Sequence, residues 1–261
     1  MAGPPQRPGF PARLDLGPGN RAPARPAAPP QPAPAPPAGA AGARDPIPGR
    51  ARMVQQLRAE GIQDPEVLRA MGSVERHRFV DSALVPQAYE DTALPIGLGQ
   101  TISKPSVVAR MVELLVQGGL RGADGRLGRV LDIGTGCGYQ ALVLAQLASE
   151  VYSIERLRQL HEKARANLRP LRVPNVHLIL GDGMEGFARG APYAAIVSAA
   201  GGEALPDAWI DQLAWGGRIV APIAHAAGGA QALMVVDKTR QGIRQTVLET
   251  VQFVPLKSGI A

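Results

Sequence analysis

Apolar positions along the chain fall into two alternating kinds of segment. Short runs rich in β-branched and aliphatic residues cover 130–133, 151–154, 176–180, 193–198 and 218–222, and two more cover 231–237 and 246–254. Between them, apolar residues recur every three or four positions, as on one face of a helix. Val107, Val108, Met111, Val112 and Leu115 give a broad apolar face to a helix opened at Ser103 and stopped by Gly118-Gly119. Leu142, Leu144, Ala145 and Leu147 mark a second. Leu157, Leu160, Ala164 and Leu168 mark a third over Arg156–Leu168, ended by Pro170 and Pro174, and Ala204–Leu213 reads as a fourth. Strands and helices alternate through the middle, and no helix separates the last two strands. That order predicts an α/β fold, a Rossmann-like doubly wound, mostly parallel sheet of about seven strands with an antiparallel edge.

An N-terminal helical extension precedes this core. Met53, Val54 and Leu57 line one face of a helix over Ala51–Glu60, with Gly61 placed to end it. Asp64-Pro65-Glu66 opens another, with Asp as cap, Pro at the first helical position and an acid in the first turn. Residues 73–80 read as a short charged helical piece. Residues 81–105 are broken by Pro86, Pro95, Gly97, Gly99 and Pro105, which rule out long regular elements. A loop of that length beside a compact domain is usually functional. The expected organisation is a tail over 1–48, an extension and substrate loop over 49–128 and an α/β core over 129–261, with 49–261 forming one catalytic domain.

Composition changes the picture mainly at the tail. Residues 1–48 are dominated by Pro, Ala, Gly and Arg, which cannot bury enough apolar surface to offset ordering, so disorder is expected there. Poverty in acids would also suit a transit peptide, but serine and an amphipathic helix are missing. The net charge of +6 is concentrated here: six arginines against two aspartates leave the first fifty residues at +4. The rest is near balance and has no basic stripe interleaved with aromatics, so no nucleic-acid partner is expected. One cysteine excludes an internal disulfide framework and suits a reducing compartment, read as the cytoplasm. His77, His161, His177, His225 and Cys137 show no metal-ligand spacing, and no metal is expected. No apolar stretch suits a membrane span, and no secretory signal is evident, so no membrane partner is expected.

The chemistry centres on Arg129–Glu155, RVLDIGTGCGYQALVLAQLASEVYSIE. Strand, glycine turn, helix, strand and acid make a nucleotide-binding βαβ unit. Gly134, Gly136 and Gly138 let the backbone approach a ligand, and Glu155 at the tip of the second strand can accept from both hydroxyls of a ribose. A dinucleotide fingerprint wants a third glycine at 139, where Tyr139 stands. Asp132, two residues before the first glycine, would repel a pyrophosphate but suits an ammonium group. S-adenosyl-L-methionine has an ammonium, a sulfonium and no phosphate. DIGTGCGY thus resembles the first motif of class I S-adenosylmethionine-dependent methyltransferases, with another Rossmann-like protein as the alternative.

Further stretches line up in order: VERHRFV (74–80), Tyr89…Pro95-Ile96-Gly97…Gly99-Gln100-Thr101-Ile102-Ser103-x-Pro105, VLDIGTGCGYQ (130–140), GDG (181–183), APYAAIVSAA (191–200) and QLAWGGRIVAPI (212–223). Together they resemble the protein-L-isoaspartate O-methyltransferase family over roughly residues 50–258, and GQTIS-x-P is the most specific part. The resemblance implies methyl transfer from S-adenosylmethionine to the α-carboxylate of L-isoaspartyl residues in damaged proteins. The ester then collapses through a succinimide, partly to aspartate. It implies Ser103 as the active-site residue, with Thr101 and Ile102 beside it on the substrate. It also implies a cofactor site of Asp132, Gly134, Gly136, Gly138, Glu155, Asp182 and Gly183, with Asp182 toward the adenine, in an enzyme expected to be a monomer. Locally, Ser103 before a proline also reads as a helix cap, Glu155 as a strand-end acid capping the next helix, and Asp182 as a turn aspartate. Cys137 reads as a small filler, and Gly201-Gly202 as shaping the substrate cleft. Two positions depart from the family pattern: Lys104 follows Ser103, and Ala194 replaces an acid. The rival readings are a class I methyltransferase with a small-molecule or RNA acceptor, a dinucleotide oxidoreductase and a non-catalytic scaffold.

Overall fold

The computed structural model describes Gly3, residues 46–224 and residues 230–261. The expected disordered tail and His225 therefore lie outside the described residues, apart from Gly3 and positions 46–48. At those last positions helix α1 (Pro46–Ala59) has already begun, ahead of the expected Ala51. Helix α2 (Pro65–Ser73) follows as the sequence predicts. Asp64 caps it, accepting from Glu66 N at 2.9 Å and Val67 N at 3.0 Å, with Pro65 in its first turn. The charged piece over 73–80 holds a single 3₁₀ turn, Arg76–Phe79. The irregular stretch over 81–105 contains a second 3₁₀ segment, Ser82–Gln87, and a small hairpin of β1 (Leu94–Gly97) and β2 (Gln100–Ile102).

Helix α3 (Pro105–Gly118) buries Val108, Met111, Val112 and Leu115, the spacing of one helical face. It starts later than expected. Lys104 has extended geometry and occupies the N-cap position, while Pro105 takes the first helical turn. Then come β3 (Leu127–Ile133), α4 (Tyr139–Ala145), β4 (Ala148–Glu155), α5 (Arg158–Leu168), β5 (Val176–Leu180), β6 (Tyr193–Ser198), α6 (Asp207–Gln212), β7 (Leu213–Ala224), β8 (Gln231–Thr239) and β9 (Gly242–Val251). Helix α6 is shorter than the expected Ala204–Leu213, because Pro206 stands at its N-cap. Strand β7 takes up Leu213 and the following residues, and its register with β6 shifts between Tyr193 and Ala195.

The seven core strands lie in the order β5-β4-β3-β6-β7-β8-β9. Pairs from β5 to β7 are parallel, and β7-β8-β9 are antiparallel. The expected doubly wound sheet with an antiparallel edge is therefore present. Side chains of β3 alternate between two cores. Val130 packs with Met71, Met111, Leu115 and Val143, and Leu131 packs with Ile196, Trp209 and Ile219. Strand order reverses between β3 and β6, so the loops after their C-terminal ends splay apart and leave a crevice, the usual ligand position in such sheets.

The N-terminal helices are fastened to this frame by a buried acid. Glu113 of α3, 2% exposed, accepts from Gln63 N at 2.7 Å and Asp64 N at 2.9 Å. Removing it leaves two N–H groups without an acceptor. Glu113→Ala should cost about 2–4 kcal/mol of stability, read as a lower urea midpoint with an unchanged slope.

Candidate active site

The crevice is a cleft of about 490 Å³ at the C-terminal ends of β3 and β4. Its walls include Ile96, Ile133, Gly134, Gly136, Glu155, Leu160, Gly183 and Ala199. The glycine turn is held to β4 by Gly134 N and Thr135 N, which both donate to the Ile154 carbonyl, at 2.9 and 3.1 Å. Gly134 and Gly136 adopt φ of +89° and +55°, which favour glycine. A Cβ on Gly136 would stand 3.2 Å from Ile96 Cδ1 and fill the gap between turn and hairpin.

Glu155 is buried, and each of its oxygens accepts one backbone bond, from Gly136 N and from Leu157 N, both at 2.9 Å. The two readings of this residue meet in one side chain. It lines the cleft and also braces the entry to α5. Each carboxylate oxygen keeps a second lone pair, so a diol can still donate to it.

Three expected cofactor residues stand elsewhere than on the cleft wall. Asp132 is 0% exposed. Its oxygens accept from Gln140 Nε2 at 2.8 Å and Ser153 Oγ at 2.6 Å, and Ser153 Oγ pairs with Thr135 Oγ1 at 2.7 Å. It lies behind the turn and ties β3, β4 and α4 together. Burial pushes its pKa from 3.8 up to about 6, opposed by the bonds from Ser153 and Gln140. Gly138 is turned toward α5, where a Cβ would meet Leu168 at 3.2 Å. Asp182 accepts from Met184 N at 2.8 Å and from Gly259 N. It thus fastens the C-terminal segment, while its neighbour Gly183 reaches the cleft.

That C-terminal segment is the part of the site that sequence patterning missed. Val254, Pro255, Leu256 and Lys257 form one wall of the cleft. Gly201 N donates to the Val254 carbonyl and Leu256 N to the Gly201 carbonyl, each at 2.8 Å. Gly201 and Gly202 thus anchor this wall, and the adjoining Ala199 and Ala200 line the cleft.

A second, small pocket of about 30 Å³ adjoins the cleft and shares Thr101, Gly134, Gly136 and Ala199 with it. Thr101, Ile102 and Ser103 all line it, with Cys137, Tyr139 and Gln140 opposite. Ser103 is not the helix cap. Asp91 does that work, accepting from Ser106 N and from Ser106 Oγ, each at 2.8 Å. The serine hydroxyl is thereby left to the pocket. Burial pushes the Cys137 thiol up from its ordinary value, which suits a filler and not a thiolate nucleophile. Lys104 is exposed. Ala194 lies well inside β6, against Gly128, away from both pockets.

Among the described residues no helix is long and apolar enough to cross a membrane, and no His, Cys, Asp and Glu cluster could hold a metal. The family model described as protein-L-isoaspartate(D-aspartate) O-methyltransferase matches residues 49–261. A protein-L-isoaspartate O-methyltransferase of Leptothrix cholodnii is 61% identical over 211 residues, covering 80% of this chain and 74% of its own. One of Methylibium petroleiphilum is 59% identical, with coverages of 80% and 77%. A solved protein-L-isoaspartate O-methyltransferase superposes with a TM-score of 0.71 at 27% identity, over 81% of this chain and 67% of the other. A Plasmodium falciparum structure described under the same activity, in complex with S-adenosyl-L-homocysteine, gives 0.67 at 24% identity, over 80% of this chain and 98% of the other, and supports the fold.

The buried Asp132 generates a pH dependence. Its folded pKa of about 6 lies above the ordinary 3.8, so the folded state holds this proton more tightly than the unfolded chain. Stability from this group is fullest below pH 3.8 and falls as pH rises through about 6. The loss is about 3 kcal/mol at that shift. Asp132→Asn lacks this titration, so its stability relative to the native protein should rise by about that amount between acid and neutral pH. Urea unfolding across that range measures it.

Proposed function

The chain belongs to the protein-L-isoaspartate(D-aspartate) O-methyltransferase family, and on that premise we propose that it methylates the α-carboxylate of L-isoaspartyl residues in damaged proteins, using S-adenosyl-L-methionine. The observation that carries this reading is the pairing of the two pockets. A roomy cleft with a diol acceptor opens through Gly134, Gly136 and Ala199 onto a small pocket bearing Ser103. The cleft fits the cofactor on its own chemistry. Its apolar walls suit the adenine and the methionine chain, its glycines allow close backbone approach, and Glu155 offers free lone pairs to ribose hydroxyls. When bound, S-adenosylmethionine supplies a sulfonium methyl that an acceptor oxygen takes in line, leaving S-adenosylhomocysteine.

Gly134, Gly136, Glu155 and Gly183 would hold the cofactor directly. Asp132, Gly138 and Asp182 would act behind them, fixing the turn, the α4–α5 contact and the C-terminal wall. Thr101 and Ile102 would flank the acceptor. Ser103 would donate its hydroxyl to one carboxylate oxygen and aim the other. The acceptor is already ionised at neutral pH, so the protein needs positioning and water exclusion rather than a general base. Residues 49–261 would make one catalytic domain. The unpaired, buried Cys137 suits a reducing cytoplasm, and the enzyme would act as a monomer.

Methyl transfer should be measured with labelled S-adenosylmethionine on a matched pair of peptides. Base-labile label on the isoaspartyl peptide and none on the aspartyl peptide is expected; label on neither would move the function to another acceptor. Ser103→Ala should lower kcat about 10- to 100-fold, the loss of one charge-assisted hydrogen bond, with cofactor Kd unchanged. Equal loss of both would end the serine assignment. Glu155→Ala should weaken cofactor binding by about tenfold or more, and calorimetric titration with unchanged affinity would exclude it from the ribose site.

A further inference from the structure

Among the described residues, no charged side chain lines the small pocket: Thr101, Ser103, Thr135 and Gln140 are its polar residues, and burial raises both Cys137 and Tyr139 above their ordinary values. An ionised carboxylate entering such a pocket loses hydration and meets no countercharge on the wall. One layer behind the wall lies Arg76, 0% exposed. Its Nη2 donates to the Ser103 carbonyl at 2.7 Å, and its Nε donates to the Ala88 carbonyl at 2.8 Å. Its guanidinium carbon sits 4.9 Å from the ring centre of Tyr139, which lines the pocket.

What sets this arginine apart is what it lacks. Among the described residues no carboxylate bonds to it, and its buried Nη1 has no hydrogen-bond partner. Asp91 acts on it only as a nearby charge, with both oxygens hydrogen-bonded to Ser106 and none to the guanidinium. The other cations around the site are differently placed. Lys163 is bonded to Asp81 and to the Ile96 carbonyl, and Lys104 stands in solvent. A buried charge normally has a partner, because an unpaired one is costly. Burial lowers the pKa of Arg76; a guanidinium nonetheless keeps its proton in proteins.

We propose that Arg76 is a positioning residue whose unpaired buried charge makes the Ser103 pocket selective for an ionised acceptor, the substrate carboxylate serving as its missing counter-ion. It acts through the Ser103 backbone and across the pocket wall, without touching the reacting atoms. The inference rests on the acceptor being a carboxylate, as proposed above.

The test compares two ligands with native protein, Arg76→Lys and Arg76→Met, in the presence of S-adenosylhomocysteine. One is the isoaspartyl peptide; the other is the same peptide with that α-carboxylate replaced by a carboxamide. Native protein and Arg76→Lys should prefer the carboxylate peptide. Arg76→Met should lose at least about tenfold of that preference, as expected for removal of a nearby opposite charge, with cofactor affinity unchanged. A role confined to folding the loop would weaken both peptides alike, so Arg76→Met with the native ratio overturns the proposal. If Arg76→Met does not fold, Arg76→Lys decides: retained charge must keep the preference, and its loss overturns the idea. Native protein that methylates isoaspartyl peptides but binds both ligands equally also overturns it. Native protein that methylates no isoaspartyl peptide defeats the proposed function instead.

Discussion

The site depends on one buried polar knot. Asp132 ends β3, Ser153 lies on β4, Gln140 on α4 and Thr135 in the glycine turn, and three hydrogen bonds of 2.6–2.8 Å join them where no water reaches. Each group would be costly to bury alone, so the four hold only as a set. The set fixes the heights of two strand ends and the start of α4 relative to one another. Glu155 extends it by one step, linking the turn to the entry of α5 through Gly136 and Leu157. Everything the cleft presents to a ligand hangs on these backbone positions. A one-residue slip between β3 and β4 would separate Asp132 from Ser153 and remove the cleft with it.

The frame was largely legible in the sequence because its central strands, β3 and β6, are buried on both faces. Strand β6 is buried at every position, and such strands read as unbroken apolar runs. The hairpin Leu94–Ile102 was not legible, since strands of four and three residues carrying a proline and bounded by glycines look like loop. Helix α6 read too long, because apolar spacing alone does not register that Pro206 delays its start.

At the site, residue types were legible and directions were not. Gly134, Gly136, Glu155 and Gly183 face the cleft, whereas Asp132, Gly138 and Asp182 in the same motifs face inward or toward a neighbour. Which way a side chain points is decided by the elements packed against it. Ser103 illustrates the limit from the other side. Its local sequence is that of a cap, yet Asp91, brought in by the fold of the preceding loop, takes that role. In VERHRFV the two other basic residues, His77 and Arg78, are partly or fully exposed, while Arg76 is completely buried. The C-terminal wall at 254–257 carries no motif at all; Gly201 and Asp182, with Gln231 and Arg156 on either side, hold it in the site.

These placements divide the labour of the site electrically. In the cleft, two backbone N–H groups replace the water that the buried Glu155 carboxylate gave up. The small pocket does the reverse, keeping charge off its surface and a cation behind it. An anionic acceptor and a cationic donor attract each other in water too, but there both are hydrated and free to rotate. Between a neutral pocket wall and a glycine turn that admits no side chain, both lose water at the same place and in one orientation. The protein's part in the reaction is then geometric: it sets where desolvation happens and which oxygen is in line.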